Sequence, residues 1–515
     1  MSLTVLHMPD RQNAPPAYDT DVIIIGAGPA GMSAAVELSE AGRRVIVLDM
    51  QPTPGGQIFR SLETNLAARP ATNELLDALG STYLAGEALI ARFRALTEID
   101  YRPDTTVWDL RTDGTVGWLR GDAAGYIRAP DVILANGAME RPVPFPGWTL
   151  PGVMTAGAVQ TLLKAGRLKP DGRIVLAGTG PLIFLLAEQL RCLGIRPAMV
   201  ARTDRLTDSI AASRVIRLAA LPAILKGAVW LGKLKVAGIA MKTGVSALRA
   251  QGNGRVESVT LTVANKQVTI PCDLLVVHDG IVPSIDLAHG AGLALEWRDN
   301  DSSWRPETSL DGTATVAPGP LMSDGPCRIR VSGDARVIGG GEAAIAHGRH
   351  VATVILGQAC DREKEVVKAG RRDAAKTAAA VHRAMAYRPF IESAFPLGIA
   401  KNLPPDEAII CRCEELSAGT LRAAIAEGAT DMNLVRGTSR CGMGPCQGRS
   451  CSVTLARLLS EANPHLRPSP FRARPPFRPL PLGALAKLEG VDPQLSQIES
   501  LEDKPDASTE GEPYA

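Results

Sequence analysis

The sequence predicts an α/β fold of two strand–turn–helix–strand units followed by a small α-helical domain. Three observations predict it. An apolar run ends in Gly26-Ala-Gly28-Pro-Ala-Gly31 and continues as a helix. A second run of the same kind reaches Gly178-Thr-Gly180. Five cysteines then crowd between residues 411 and 451, whereas the other four (Cys192, Cys272, Cys327 and Cys360) lie scattered before them.

The bulk numbers suit such a chain. Its 515 residues leave room for about two to four domains and a full core. The hydrophobic fraction of 45% and charged fraction of 21% are those of an ordinary globular protein. A net charge of +2 argues against a nucleic-acid surface, and 4% aromatics against base-stacking platforms. Residues 1–20 are polar and proline-containing, with no basic stretch leading into an apolar one, so no export signal is expected. The most apolar later run, 218–234, is interrupted by Pro222, Lys226 and Lys233 and falls short of the roughly 20 residues of a bilayer span. A reducing, cytoplasmic compartment is expected, with peripheral attachment at the inner membrane left open.

The first unit is complete. Asp21-Val-Ile-Ile-Ile runs as a buried strand into the turn, a helix opens near Met32, and Arg44-Val-Ile-Val-Leu-Asp49 gives a second strand ending in an acid. Gly26 permits the tight turn, Gly28 lets backbone approach a pyrophosphate, and Gly31 lets helix pack on strand. The helix N-terminus faces the phosphates, and Asp49 is placed to bond a ribose hydroxyl. The bland alternative is an α/β turn without a ligand.

Three later segments resemble those of flavoproteins with two dinucleotide domains and so point to FAD rather than NAD. Gly55-Gly56-Gln57 follows the second strand closely, Asn136-Gly137-Ala resembles the second glycine signature, and Gly333-Asp334 with the glycines after it resembles the motif whose acid contacts the ribityl chain. Alone, Asp334 would read as a turn or helix-cap carboxylate.

The second unit departs from the pattern. Ile183 stands where a third glycine belongs, and Ala201, beside Arg202, stands where the acid belongs. Three readings stay open: a working NAD(P)H site, a site for another adenine nucleotide held by Gly178 and Gly180 with Arg202 on a phosphate, and a purely structural domain. The run 272–283 reads as the return to the first domain. That places an FAD domain at 18–162 and 272–360 and an inserted domain at 163–271. His278 follows an apolar strand and is expected to be a satisfied structural histidine. No Cys-x-x-Cys occurs anywhere in the chain, and Gly-Gly-Gln-Ile-Phe lacks adjacent cysteines. The architecture is thus glutathione/thioredoxin-reductase-like without the dithiol chemistry of those enzymes.

A basic helical linker is expected over 361–404 and a cysteine domain over 405–460. There a short strand leads into Cys411-Arg-Cys413, Ser417 and Asp431 cap two helices, and Cys446-Gln-Gly opens a third. Four thiolates around two irons are negative, and glycine amides would offset that charge. The spacing resembles the BFD-like (bacterioferritin-associated-ferredoxin-like) [2Fe–2S] domain, through Cys-Arg-Cys-Glu and Gly-Met-Gly-Pro-Cys-Gln-Gly. That resemblance implies Cys411, Cys413, Cys446 and Cys451 as ligands and leaves Cys441 as a spare thiol near the cluster. A Cys441/Cys446 pair, zinc, and no metal at all are the alternatives. Residues 461–515 form a tail, rich in proline and arginine over 463–482, that is expected to lie on another surface and to end disordered and acidic.

Taken together, the chain resembles the α (A-type) subunit of bacterial multi-subunit amino-acid dehydrogenases, a group that includes opine oxidases, hydroxyproline and proline dehydrogenases and hydrogen cyanide synthase. Glu140-Arg-Pro-Val-Pro-Phe-Pro-Gly-Trp-Thr-Leu-Pro-Gly carries part of that likeness. It implies an electron-transfer flavoprotein subunit. A D-amino-acid-oxidase-like β subunit would oxidise the C–N bond, a small γ subunit belongs to some complexes, and FMN sits at the α–β interface in some relatives. The sequence shows no amino-acid carboxylate clamp with a catalytic base. The rivals are a stand-alone NAD(P)H-dependent reductase and a non-catalytic scaffold.

Overall fold

Continuous apolar runs fix the centre of each unit. The computed structural model describes residues 18–216, 218–317, 327–358 and 364–488. Cys360 and the acidic stretch from 497 onward lie outside the described residues. The first sheet is parallel, in the order Arg328–Val331, Asp131–Leu134, Val22–Ile25, Val45–Leu48, Ile99–Arg102. Val22–Ile25, Val45–Leu48 and Asp131–Leu134 are buried at every residue, as strands covered on both faces must be. Helix Pro29–Glu40 covers one face and packs on Gly340–Gln358. A Cβ on Gly31 would lie 1.8 Å from the Gly26 carbonyl oxygen, and one on Gly348 would lie 2.2 Å from that of Ala30. At the sheet's lower end the fully buried Arg330 binds Asp131 and donates to Gln358 at 2.6 Å.

The second sheet is also parallel: Ala240–Lys242, Met199–Arg202, Ile174–Thr179, Leu274–Asp279, Val153–Thr155. This corrects the sequence-based boundary. Leu274–Asp279 is a central strand of the second unit, not the return to the first, and the unit begins at Val153 rather than 163. Burial of all six residues from Leu274 to Asp279 is what that position requires. The return begins at Ile281–Pro283, which pairs antiparallel with Ala138–Glu140.

The cysteine domain follows its capping signals. Ser417 accepts from the Thr420 amide, and Asp431 accepts from the amides of Asn433 and Leu434 at 2.7 and 3.0 Å. The last helix begins at Ser452, later than the expected Cys446. Gln447 and Gly448 have φ of 49° and 84°, so the segment between the two cysteines turns instead of coiling.

The described part of the tail, to residue 488, straps this domain to the first unit. Trp304 Nε1 donates to the Pro468 carbonyl at 3.0 Å, Phe477 is buried with its amide on the Trp108 carbonyl, and Arg478 and Arg449 converge on Asp286. The Glu140-to-Gly152 motif braces the other side. Trp148 Nε1 donates to the Ile409 carbonyl at 2.6 Å beneath Arg412, and Arg141 is buried on the carbonyls of Asp279, Asp301 and Ser302. Trp148→Phe removes one hydrogen bond, so a loss of about 1 kcal/mol is expected. Earlier cleavage near 401–408 in limited proteolysis would accompany it. A variant as resistant as the parent would show that Trp148 does not brace the domain.

Candidate cofactor sites

One cleft of 2140 Å³ runs from the first glycine turn to the cysteine loop. Gly26, Gly28, Asp49, Gly56, Gln57, Gly137 and Asp334 all line it, at the carboxyl ends of the first sheet. Gly31 and Gly333 stand behind the wall as packing glycines; a Cβ on Gly333 would lie 2.7 Å from that of Ala30. Gly26 has φ of 107°, and a Cβ there would meet the Ala135 carbonyl oxygen at 2.5 Å, so the turn admits only glycine. Gly55 donates to the Ala27 carbonyl at 2.8 Å, and a Cβ on Gly56 would lie 2.9 Å from the Gly28 Cα. The Gly-Gly-Gln loop is therefore laid directly on the phosphate turn.

The two acids are held ready. Asp49 accepts from the Ala27 amide with Oδ2 at 2.6 Å and from the Gln51 amide with Oδ1 at 2.7 Å. Asp334 accepts from the amides of Gly339 and Gly340 with Oδ1 at 2.7 and 3.0 Å, leaving Oδ2 for a hydroxyl. Burial pushes both carboxyls above their ordinary range, and the amide bonds oppose that shift. A helix N-terminus for a pyrophosphate, an acid for a ribose and a second acid for a polyol chain fit FAD.

Two cations in this wall were missed from sequence. Lys164 sits in a π-helical turn, Leu162–Gly166, and donates to the carbonyls of Gln57 and Ile58 at 3.2 and 3.1 Å. Burial, and secondarily Arg60, lowers its ammonium to about 8. Arg60 donates to Gln51 Oε1 at 2.5 Å, and its buried Nε has no hydrogen-bond partner. An isolated lysine in an apolar helix gives no sign of this role; the only signal is a lysine just before Gly166 in a helix that faces the Gly-Gly-Gln loop.

The second unit is built differently. A Cβ on Gly178 would lie 1.7 Å from the His278 carbonyl oxygen, and Gly180 reaches the cleft. Ile183 is buried in the core where a glycine would bring helix to strand. Arg202 is not free for a phosphate: it is paired with the buried Asp204 and lies 5.1 Å over the Phe184 ring. An acid two residues downstream, overlooked in the sequence, accounts for this correction. The crevice beyond the strands is roofed by the chain itself. Asp279 accepts from the amides of Gly398 and Ala400 at 2.9 and 2.6 Å, a Cβ on Gly398 would lie 2.1 Å from Thr203 Oγ1, and Phe395 packs on Phe184. His278 is buried at the edge of the cleft: Nδ1 meets Glu140 at 2.5 Å, and Glu140 in turn accepts from the amides of Ala156 and Gly157.

The five cysteines of the C-terminal domain come together. The thiols of Cys411, Cys441 and Cys451 are buried within 4.8 Å of one another, and those of Cys413 and Cys446 adjoin each other. Cys441, expected as a spare thiol near the cluster, lies within this group. A Cβ on Gly444 would lie 2.1 Å from that of Cys413, so the Gly-Met-Gly-Pro loop closes directly over the Cys-x-Cys. The neighbouring Cys451 thiol, and then burial, raises the Cys411 thiol. Several thiolates this close need a compensating cation, which a metal centre supplies. The donor set fits [2Fe–2S], held by thiolates from both the Cys-x-Cys and the later loop. Cys446 itself lines the cleft.

Comparison with known proteins agrees with this geometry. Residues 20–301 match the pyridine nucleotide-disulphide oxidoreductase family, and residues 409–461 match the BFD-like [2Fe-2S] binding domain. The chain is similar to the A-type subunit of opine oxidase from Agrobacterium tumefaciens, 37% identical over 91% of this chain and 92% of that one. It is similar to the HcnB subunit of hydrogen cyanide synthase from Pseudomonas protegens, 31% identical over 90% and 96%. Among solved structures, L-proline dehydrogenase from P. horikoshii shares the fold, with a TM-score of 0.62, 20% identity, and coverage of 91% of this chain and 79% of that one.

Proposed function

The chain belongs to the pyridine nucleotide-disulphide oxidoreductase family and to the group of A-type opine oxidase subunits, and from that membership we propose that it is an electron-transfer subunit. It is an oxidoreductase subunit of a multi-subunit flavin and iron–sulfur dehydrogenase. In our reading the C–N bond of an amino acid or opine is oxidised on a partner β subunit of D-amino-acid-oxidase type, with a small γ subunit in some complexes. Electrons then pass through this chain to a respiratory or other acceptor.

The cleft that joins the first glycine turn to Cys446 carries this reading. FAD, when bound, exchanges electrons in pairs or singly, and a [2Fe–2S] cluster exchanges them singly. The chain's own residues orient and shield. Gly26, Gly28 and the Gly56-Gln57 loop cradle phosphates, Asp49 and Asp334 fix hydroxyls, and Cys411, Cys413, Cys446 and Cys451 hold the irons. Trp148 keeps the cysteine domain against the cleft. FMN at an interface between subunits and an adenine nucleotide in the second unit remain proposals of the same reading; the pairing of Arg202 with Asp204 counts against the second.

The roof over the second crevice and the absent ribose acid disfavour a stand-alone NAD(P)H-dependent reductase. Anaerobic titration of the loaded chain with NADH and then NADPH is expected to leave flavin and cluster absorbance unchanged, while dithionite bleaches both. Rapid bleaching by either nucleotide would replace the subunit reading with that of a reductase.

A further inference from the structure

A surface helix needs one apolar stripe, to face its own core. Helix Leu221–Val236 has two. Trp230, Leu231 and Leu234 pack inward. Leu218 just before it, then Leu221, Leu225, Val229 and Val236, recur at helical spacing on the outer face, with Leu218 85% and Val236 91% exposed. Of 14 exposed large apolar side chains among the described residues, eight fall within 210–236. Five of these, Leu218, Leu221, Leu225, Val229 and Val236, share the outer face of this helix, which is more than scattered surface residues would give.

Charge identifies the occupant. From residue 209 to residue 256 the sequence has no Asp or Glu and eight Lys or Arg. Lys226, Lys233 and Lys235 lie on the helix itself, all exposed; Lys233 also pairs with Glu188 at 3.3 Å, so Lys226 and Lys235 are the cations without an acid beside them. Leucine and valine flanked by lysine, with no acid in the helix, suit a helix lying in a bilayer interface. Protein interfaces are by contrast depleted of lysine. No helix among the described residues is long and apolar enough to cross a membrane, so the contact would be peripheral.

We propose that the outer face of helix Leu221–Val236, with Leu218 before it, docks on a bilayer surface carrying anionic headgroups. Lys226 donates to Thr82, and Thr82 and Tyr83 line the cofactor cleft, so docking sets the edge of that cleft beside the lipid. The inference rests on this face alone and stands whether or not the subunit reading holds.

The test is sedimentation of the full chain, FAD- and cluster-loaded, with vesicles of phosphatidylcholine with or without phosphatidylglycerol. Each cation near an anionic surface strengthens binding about fivefold, so at least about tenfold tighter binding to the anionic vesicles is expected, weakening with salt. Leu225→Glu with Val229→Glu is expected to abolish binding while flavin content and the unfolding midpoint stay at parental values. Should that pair fail to fold, Leu218→Glu with Val236→Glu, at the two most exposed positions, carries the same expectation. Absence of binding, equal binding to both vesicles, or binding unchanged by the glutamates would overturn the proposal. So would a face buried only in a stable complex with a second polypeptide.

Discussion

Serine at Cys446 is expected to remove the [2Fe–2S] absorbance and the paramagnetic signal of the reduced protein, while FAD stays bound. The two sites share a cleft but no residues, so loss at one need not empty the other. Cys411 lies in the buried group with Cys441 and Cys451, and Cys413 beside Cys411 meets Cys446. Cys441 and Cys446 are the first pair to compare, and Cys451→Ser, which a Cys441/Cys446 pair would survive, completes the series. The left-handed Gln447 and Gly448 turn the chain back between Cys446 and Cys451, as a loop must when both ends bind one centre. Cys441→Ser is expected to keep a [2Fe–2S] spectrum, shifted because a buried thiol beside the cluster has become a hydroxyl. Iron content and the reduced-state spectrum of the two variants check this. A full cluster in Cys446→Ser with none in Cys441→Ser would move the fourth ligand to Cys441.

Local patterns made the first nucleotide unit legible. Gly26, Gly28, Gly31 and Asp49 occupy consecutive strand, turn and helix positions, and backbone geometry alone decides what each must do. The cysteine domain was legible for the same reason, with Ser417 and Asp431 capping where capping chemistry places them. What escaped the sequence is non-local. Leu274–Asp279 reads as an apolar strand in either sheet, and only its pairing with Ile174–Thr179 assigns it. The neutralisation of Arg202 by Asp204 depends on a turn bringing the two side chains together. The roof over the second crevice comes from residues about 120 positions beyond Asp279, a distance across which periodicity carries no information. Cys441 reads from family spacing as a spare thiol near the cluster, and burial places it beside Cys411 and Cys451.

The same blindness hid Lys164, whose replacement carries the other large expected effect. Its ammonium is buried with two carbonyl acceptors and Arg60 nearby, and burial lowers its pKa from 10.5 to about 8. The unfolded chain thus binds a proton that the folded one releases between those values, so this contribution to stability rises with pH across that window. Below pH 8 both states are protonated and the whole penalty is present, on the order of 3 kcal/mol. Lys164→Met removes the penalty and with it two hydrogen bonds of about 1 kcal/mol each. The apo-protein is therefore expected to gain about 1 kcal/mol at pH 7 and to lose stability relative to the parent above pH 10.5. A buried cation that destabilises the empty fold is retained where an anion offsets it, and a dinucleotide brings two phosphate charges into this cleft. FAD is accordingly expected to bind about tenfold or more weakly to Lys164→Met. Denaturant unfolding of the apo-protein at pH 7 and pH 10.5, with FAD titrations beside it, separates the two effects. A variant destabilised at pH 7 that still binds FAD at parental affinity would make Lys164 a structural brace for Gln57 and Ile58 and nothing more.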